Sequence, residues 1–190
     1  MTIHATWAQP VLVTAAELLA LPEDDWRYEL VEGRLVRMSP TGDRHNRTSA
    51  RLFRALDRFV APRGMGEVYP QESGFLVSEA GEPDTVLAPD LAFVRAEKVP
   101  RPAVDGYPRI APDVVAEVIS PSQTLAQLRQ KAETWLACGV RQVWILVPGT
   151  RTVEIWSASR PPITLGESDT VSGEDALAGF TVPVAELFAP

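Results

Sequence analysis

Helical spacing and strand-like alternation divide the chain into short elements. Thr14-Ala15-Ala16-Glu17 has the form of a capping box opening a helix, with Leu18, Leu19 and Leu21 as its apolar side and Pro22 as its stop. YELV and RLVRM flank Glu32-Gly33, which predicts a hairpin whose two-residue turn uses the positive φ that glycine tolerates. From residue 44 to about 60, Leu52, Phe53, Leu56, Phe59 and Val60 share one face of a long amphipathic helix. Pro62 and Gly64 stop it. Three strand-like segments follow: EVYPQESGFLV, LAFV after Pro89-Asp90, and VVAEVI after Pro112-Asp113. The proline-rich KVPRPAVDGYPRIAP separates the last two as a loop.

Ser122 is the predicted N-cap of a second long helix running to about Ala137, with Gly139 just beyond its end. Leu125, Leu128, Ala132, Trp135 and Leu136 form its predicted buried face. QVWILV and RTVEIW around Pro148-Gly149-Thr150 read as another hairpin. From Ser157 onward the chain reads as loop-rich, closing in a short strand (FTVPV) and a turn of helix (AELF). Strands grouped before a helix predict an α/β fold in which helices cover a mixed sheet, rather than a regular doubly wound fold. Residues 1–13 read as a loosely held arm and 14–190 as a single domain.

Composition narrows the chemistry. Of the 190 residues, 45% are hydrophobic and 23% charged, so a packed core is expected and not disorder. Cys138 is the only cysteine, which excludes an internal disulfide and a cysteine-based zinc cluster and suits a reducing cytoplasm. His4 and His45 are too few for a multi-histidine metal site in one chain. The first residues lack a signal-peptide pattern, and no stretch approaches the roughly 18 apolar residues of a membrane span. The expectation is a soluble, cytoplasmic protein. A net charge of −7 weighs against non-specific affinity for nucleic acid, although binding depends on local charge. Glycine-rich phosphate loops, GxSxG and CxxC are absent from the sequence, so ATPase, serine-hydrolase and thiol-redox chemistry have no support.

Two carboxylates stand in segments otherwise composed like buried strands: Asp90 in LAPDLAFV and Glu117 in DVVAEVIS. Burying an ionised carboxylate costs several kcal/mol unless a cation or hydrogen bonds compensate it. Neighbouring strands lie about 4.8 Å apart, so carboxylates on facing positions can share a hard cation such as Mg²⁺. Pro-Asp recurs at Pro83-Asp84 and Pro112-Asp113. Asp84 has no apolar run directly after it and reads as a loop residue; Asp113 lies about 13 Å back from Glu117 along an extended strand and reads as a strand-entry turn.

Lys131 falls about 60° from Leu128 on a helical wheel, at the margin of the buried face. From there its stem can reach round the helix edge toward Glu117 or snorkel to solvent. His45 falls within about 20° of Leu52 and Leu56 and points inward, as a satisfied core residue or as part of a site. Glu29, between Tyr28 and Leu30 in the hairpin, reads on its position alone as an exposed cross-strand partner for an arginine. Arg44, Arg47, Arg51, Arg54 and Arg58 form a stripe opposite the apolar face of the first long helix. Such a stripe can follow a phosphate backbone, meet an acidic partner or stay solvated.

YELVEGRLVRMSP, a histidine opening a helix, APDLAFV, PDVVAEVISPS, a helical lysine and GVRQVWILVPGTRTVEIW, in that order, resemble the bacterial Uma-type restriction endonucleases of the PD-(D/E)XK nuclease superfamily. The resemblance runs from about Thr14 to Phe188. It implies a restriction-endonuclease-like core and Mg²⁺- or Mn²⁺-dependent hydrolysis of phosphodiester bonds in DNA. Asp90 and Glu117 would then be the metal-binding acids, Lys131 the catalytic lysine, and Glu29 and His45 would line the site. The superfamily lysine normally follows two residues after the acid, where Ile119 stands here, and Val147 replaces an aspartate common before the proline. That departure and the acidic charge leave open a catalytically silent nuclease fold acting as a binding or assembly module. A homodimer is expected by analogy with duplex-cutting nucleases.

Overall fold

In chain order the elements are α1 (Ala15–Leu19), β1 (Arg27–Val31), β2 (Arg34–Met38), α2 (Asp43–Val60), β3 (Gly66–Tyr69), β4 (Phe75–Leu76), β5 (Val86–Leu87) and β6 (Leu91–Arg95). There follow β7 (Val114–Val118), α3 (Leu125–Ala137), β8 (Gln142–Val147), β9 (Thr152–Ser157), β10 (Arg160–Leu165), β11 (Thr170–Ser172), β12 (Thr181–Pro183) and α4 (Val184–Leu187). This computed structural model describes residues 11–22 and 26–189, so most of the arm expected over residues 1–13 lies outside the described residues. Val13, its last residue, donates to the Gly33 carbonyl at 2.8 Å.

Six strands form the main sheet in the order β10-β9-β8-β7-β6-β3. Only β7 and β8 run parallel among its neighbours, joined by α3; the other pairs are antiparallel. The mixed sheet with helical cover is the expected class. Strand alternation sends Val114, Ala116 and Val118 to one face, where Leu52, Leu56 and Val60 of α2 bury against them with the C-terminal segment. Ala92, Val94, Val115, Val143 and Ile145 point to the other face, under Leu128, Ala132 and Trp135 of α3. A smaller sheet, β2-β1-β5-β4, carries the predicted hairpin. Its turn has positive φ at Glu32 and Gly33, and a β-carbon on Gly33 would come within 2.8 Å of Leu12, so glycine is required twice over.

Three sequence expectations need correction. The cap of α3 is Thr124, not Ser122. Its hydroxyl accepts from the Gln127 amide, and the Gln127 side chain accepts from the Thr124 amide, a reciprocal pair that Ser122, with Leu125 three residues on, cannot form. EVYPQESGFLV is two strands in different sheets, broken after Tyr69 at Pro70, whose ring nitrogen cannot donate to a ladder. The segment after Ser157 also contains β10, whose Pro161 and Pro162 fall where the register with β9 shifts. An edge strand tolerates them because one side of its ladder is free. Among the described residues no helix is long and apolar enough to cross a membrane.

Candidate active site

The chain passes from the small sheet to the main one through β5, Ala88, Pro89 and Asp90, and the site is built on that passage. β6 and β7 pair antiparallel with Leu91 opposite Ala116 and Ala92 opposite Val115. Continuing that register by one step puts Asp90 opposite Glu117, on the face shared by Ala92, Val115 and α3. Leu30 of β1 pairs with Val86 of β5, which brings Glu29 alongside the same passage.

Lys131 closes the group from α3. Its Nζ lies 2.9 Å from Glu117 Oε1, 2.8 Å from Glu29 Oε1 and 3.3 Å from the Ala88 carbonyl. The stem therefore reaches round the helix edge and does not snorkel. Glu29 is buried and also accepts from the Ala88 amide at 2.8 Å; its strand partner across the hairpin is Val36, not an arginine. His45 is buried with Nε2 2.9 Å from Asp90 Oδ2 and Nδ1 3.3 Å from Asn46 Oδ1. All five predicted site residues thus converge, lining one cavity of about 480 Å³.

Three further partners escaped the sequence reading. Gln71 donates to Asp90 Oδ1 at 3.0 Å, and the Val118 amide donates to Oδ2 at 2.7 Å. Trp135 donates its indole N–H to Glu117 Oε1 at 2.9 Å. A signal for Trp135 existed: it lies one helical turn beyond Lys131, and a buried indole needs an acceptor. Gln71 had none, because it comes from the loop that interrupts the supposed strand.

The electrostatics are unbalanced. Burial raises the Glu117 carboxyl to about 7; Lys131 opposes this, while Asp90 and Glu29 add to it. Burial also works against the Lys131 ammonium, but the Glu117 and Glu29 carboxylates outweigh it and raise its pKa, so Lys131 is a permanent cation near neutrality. Burial likewise opposes charge on His45, yet Asp90 and Asn46 raise it, since an imidazolium donates from both nitrogens. Three carboxylates around one ammonium and one histidine leave excess negative charge for a cation to offset. Among the described residues no three histidine, cysteine or carboxylate side chains form a ready-made metal cage. Two facing carboxylates with water and substrate oxygens still suit Mg²⁺, which seldom takes an all-protein shell.

Other candidates fall outside the group. Asp113 is fully buried and held by the Arg95 amide and Nε and by Lys98 Nζ, a satisfied strand-entry residue. Asp84 accepts from the Ala15 amide at the start of α1, a loop role. Ile119 packs against the apolar cluster under α3. Of the arginine stripe, none lines the site cavity; Arg27 and Arg37 of the hairpin do, with Arg27 3.1 Å from Glu72 and Arg37 stacked on Trp26.

A family model described as "Uma2: Putative restriction endonuclease" matches residues 15–185. No curated protein matches the chain. Among solved structures, "a putative nuclease belonging to DUF820" from Anabaena variabilis superposes with a TM-score of 0.81, covering 93% of this chain and 97% of its own. Sequence identity is 19%, so what the two share is the fold.

Proposed function

The chain belongs to the Uma2 restriction endonuclease family, and on that footing we propose that it hydrolyses phosphodiester bonds in DNA with a divalent cation held by Asp90 and Glu117. The observation that carries this reading is the placement of Lys131 Nζ, 2.9 Å from Glu117 and 2.8 Å from Glu29. Ile119 removes the lysine from the strand, and α3 returns an equivalent charge to the same carboxylate. That geometry favours catalysis over a silent nuclease fold, whose supports were the acidic net charge and the missing lysine at Ile119.

The bound ion, Mg²⁺ or Mn²⁺, would lower the pKa of an attacking water and offset charge on the scissile phosphate. The chain's own residues do the rest. Asp90 is oriented by three donors, His45, Gln71 and the Val118 amide, which leave its carboxylate little rotational freedom. Trp135 fixes Glu117 from the apolar side. Lys131, protonated and anchored by Glu29, is a poor proton acceptor; it favours the ionised form of Glu117 and faces the negative charge that develops on the phosphate. Arg27 and Arg37 line the mouth of the cavity as phosphate contacts.

The direct test is cleavage of plasmid and linear DNA with Mg²⁺ or Mn²⁺, and with chelator. The expected result is metal-dependent cutting that Glu117→Ala abolishes. Cutting that persists unchanged in that variant would overturn the mechanism.

A further inference from the structure

A second cavity, of about 370 Å³, lies where α2 meets the turn between β8 and β9 and the end of the C-terminal segment. Arg44, Arg47 and Arg51 line it from α2, Arg151 from the turn, with the Thr48 side chain between them. Asp43 is the only carboxylate among the lining residues described. Four guanidinium groups thus gather in one concave place on a chain of net charge −7.

The gathering is built by the fold. The α2 arginines recur at helical spacing, and Asp43 Oδ2 holds Arg47 Nε at 3.0 Å. Arg151 has a φ of +56°, a backbone state that residues with a β-carbon seldom adopt. One end of its guanidinium meets Glu167 at 2.6 Å, while its buried Nε has no hydrogen-bond partner among the described residues.

The cavity also adjoins the candidate active site. Arg44 and Arg47 flank His45, whose ring meets Asp90. β8 runs parallel to β7 with Ile145 beside Glu117, so Pro148 and Gly149 lie about 10 Å beyond Glu117, at the same end of the sheet. The two cavities therefore flank the first turns of α2. A strand lying across that turn rises roughly 3.4 Å per nucleotide, so a few nucleotides span the gap.

We infer that this cavity binds a backbone phosphate of the DNA strand cut at Asp90 and Glu117, a few nucleotides from the scissile bond. The inference rests on the nuclease reading and narrows the arginine stripe to the part that, with Arg151, forms a concave site. Arg54 and Arg58 do not line it.

The test is the affinity of a fluorescent DNA duplex as a function of salt, measured in chelator so that no cutting is needed. Arg44→Gln and Arg151→Gln are compared with Arg141→Gln, which removes the same charge at the opposite end of β8. The expected result is a salt slope lower by about 0.9 for each cavity variant and unchanged for the control. Equal losses in all three variants, or none, overturn the subsite while leaving the nuclease reading to its own cleavage assay. Competition by inorganic phosphate as strong per phosphate as by duplex means a free-phosphate site and overturns the assignment to DNA. A change in sedimentation with the cavity variants means an interface between copies and overturns it too. If the parent neither binds nor cuts DNA, both readings fall.

Discussion

Lys131 Nζ sits 2.9 Å from Glu117 Oε1, delivered by α3 to a carboxylate on β7, a strand that carries no lysine of its own. The pair is buried, and Glu29 shares the same ammonium. Replacing Lys131 by Met therefore leaves two acids without their cation. Losing one partner of a buried ion pair costs about 3–5 kcal/mol. Lys131→Met should lower the unfolding midpoint in urea correspondingly and abolish cleavage. Full stability with full activity would remove Lys131 from the mechanism.

Cation binding should depend on pH through Glu117. Its carboxyl is raised to about 7, so near pH 6 a proton occupies the group that the ion needs, and above 7 it does not. Titration calorimetry with Mg²⁺ or Mn²⁺ should find weaker binding and proton release at pH 6, and tighter binding without release at pH 8. In the cation-free protein the same shift makes folding stability decline as pH rises from about 4.5 to about 7, because the unfolded chain gives up that proton first. Equal affinity at both pH values would contradict the assignment of Glu117.

Trp135 tests the apolar side of the same carboxylate. Trp135→Phe keeps an aromatic ring under the sheet but removes the 2.9 Å hydrogen bond to Glu117. A loss of about 1–3 kcal/mol is expected for a buried acceptor deprived of its donor. Cleavage should fall more at neutral pH than at pH 8.5, since Glu117 then ionises less readily. A parallel loss at all pH values would mean that the indole only fills space.

Arg129 and Glu154 provide a control away from the site. Arg129 makes two hydrogen bonds to the Glu154 carboxylate, tying α3 to β9. Arg129's hydrogen bond holds the Glu154 carboxyl below its ordinary value, with help from Trp156, against the opposing effect of burial. A depressed acid stabilises the fold above its unfolded pKa and loses that contribution as pH falls through its folded one. Because the arginine is half exposed, Glu154→Gln should cost no more than about 1 kcal/mol at pH 7. The difference from the parent should vanish in strong acid, as read by thermal melts across pH.

Local rules were enough for much of this protein. The capping box at Thr14, the Glu32-Gly33 turn and the inward face of α2 follow from neighbouring residues, and all are present. So was the oddity of Asp90 and Glu117, because an acid inside an apolar strand is visible without a partner. The proline break at Pro70 and the capping box at Thr124 are also written locally, but a continuous apolar run and a nearby serine give competing local signals.

Tertiary structure decided where the side chains of Lys131, His45 and Glu29 lie. Whether Lys131 snorkels, whether His45 is core, and whether Glu29 faces an arginine depend on groups far away in the chain. Glu29 reaches Lys131 only because β1 lies beside β5, and Gln71 reaches Asp90 only because its strand breaks. The sequence by itself determined the two misplaced acids and most of the elements, though not β5, β10 or β11, since hydrophobic period and capping act over a few residues. The charges that compensate those acids come from separate elements, and only sheet order and helix packing bring them within hydrogen-bond reach.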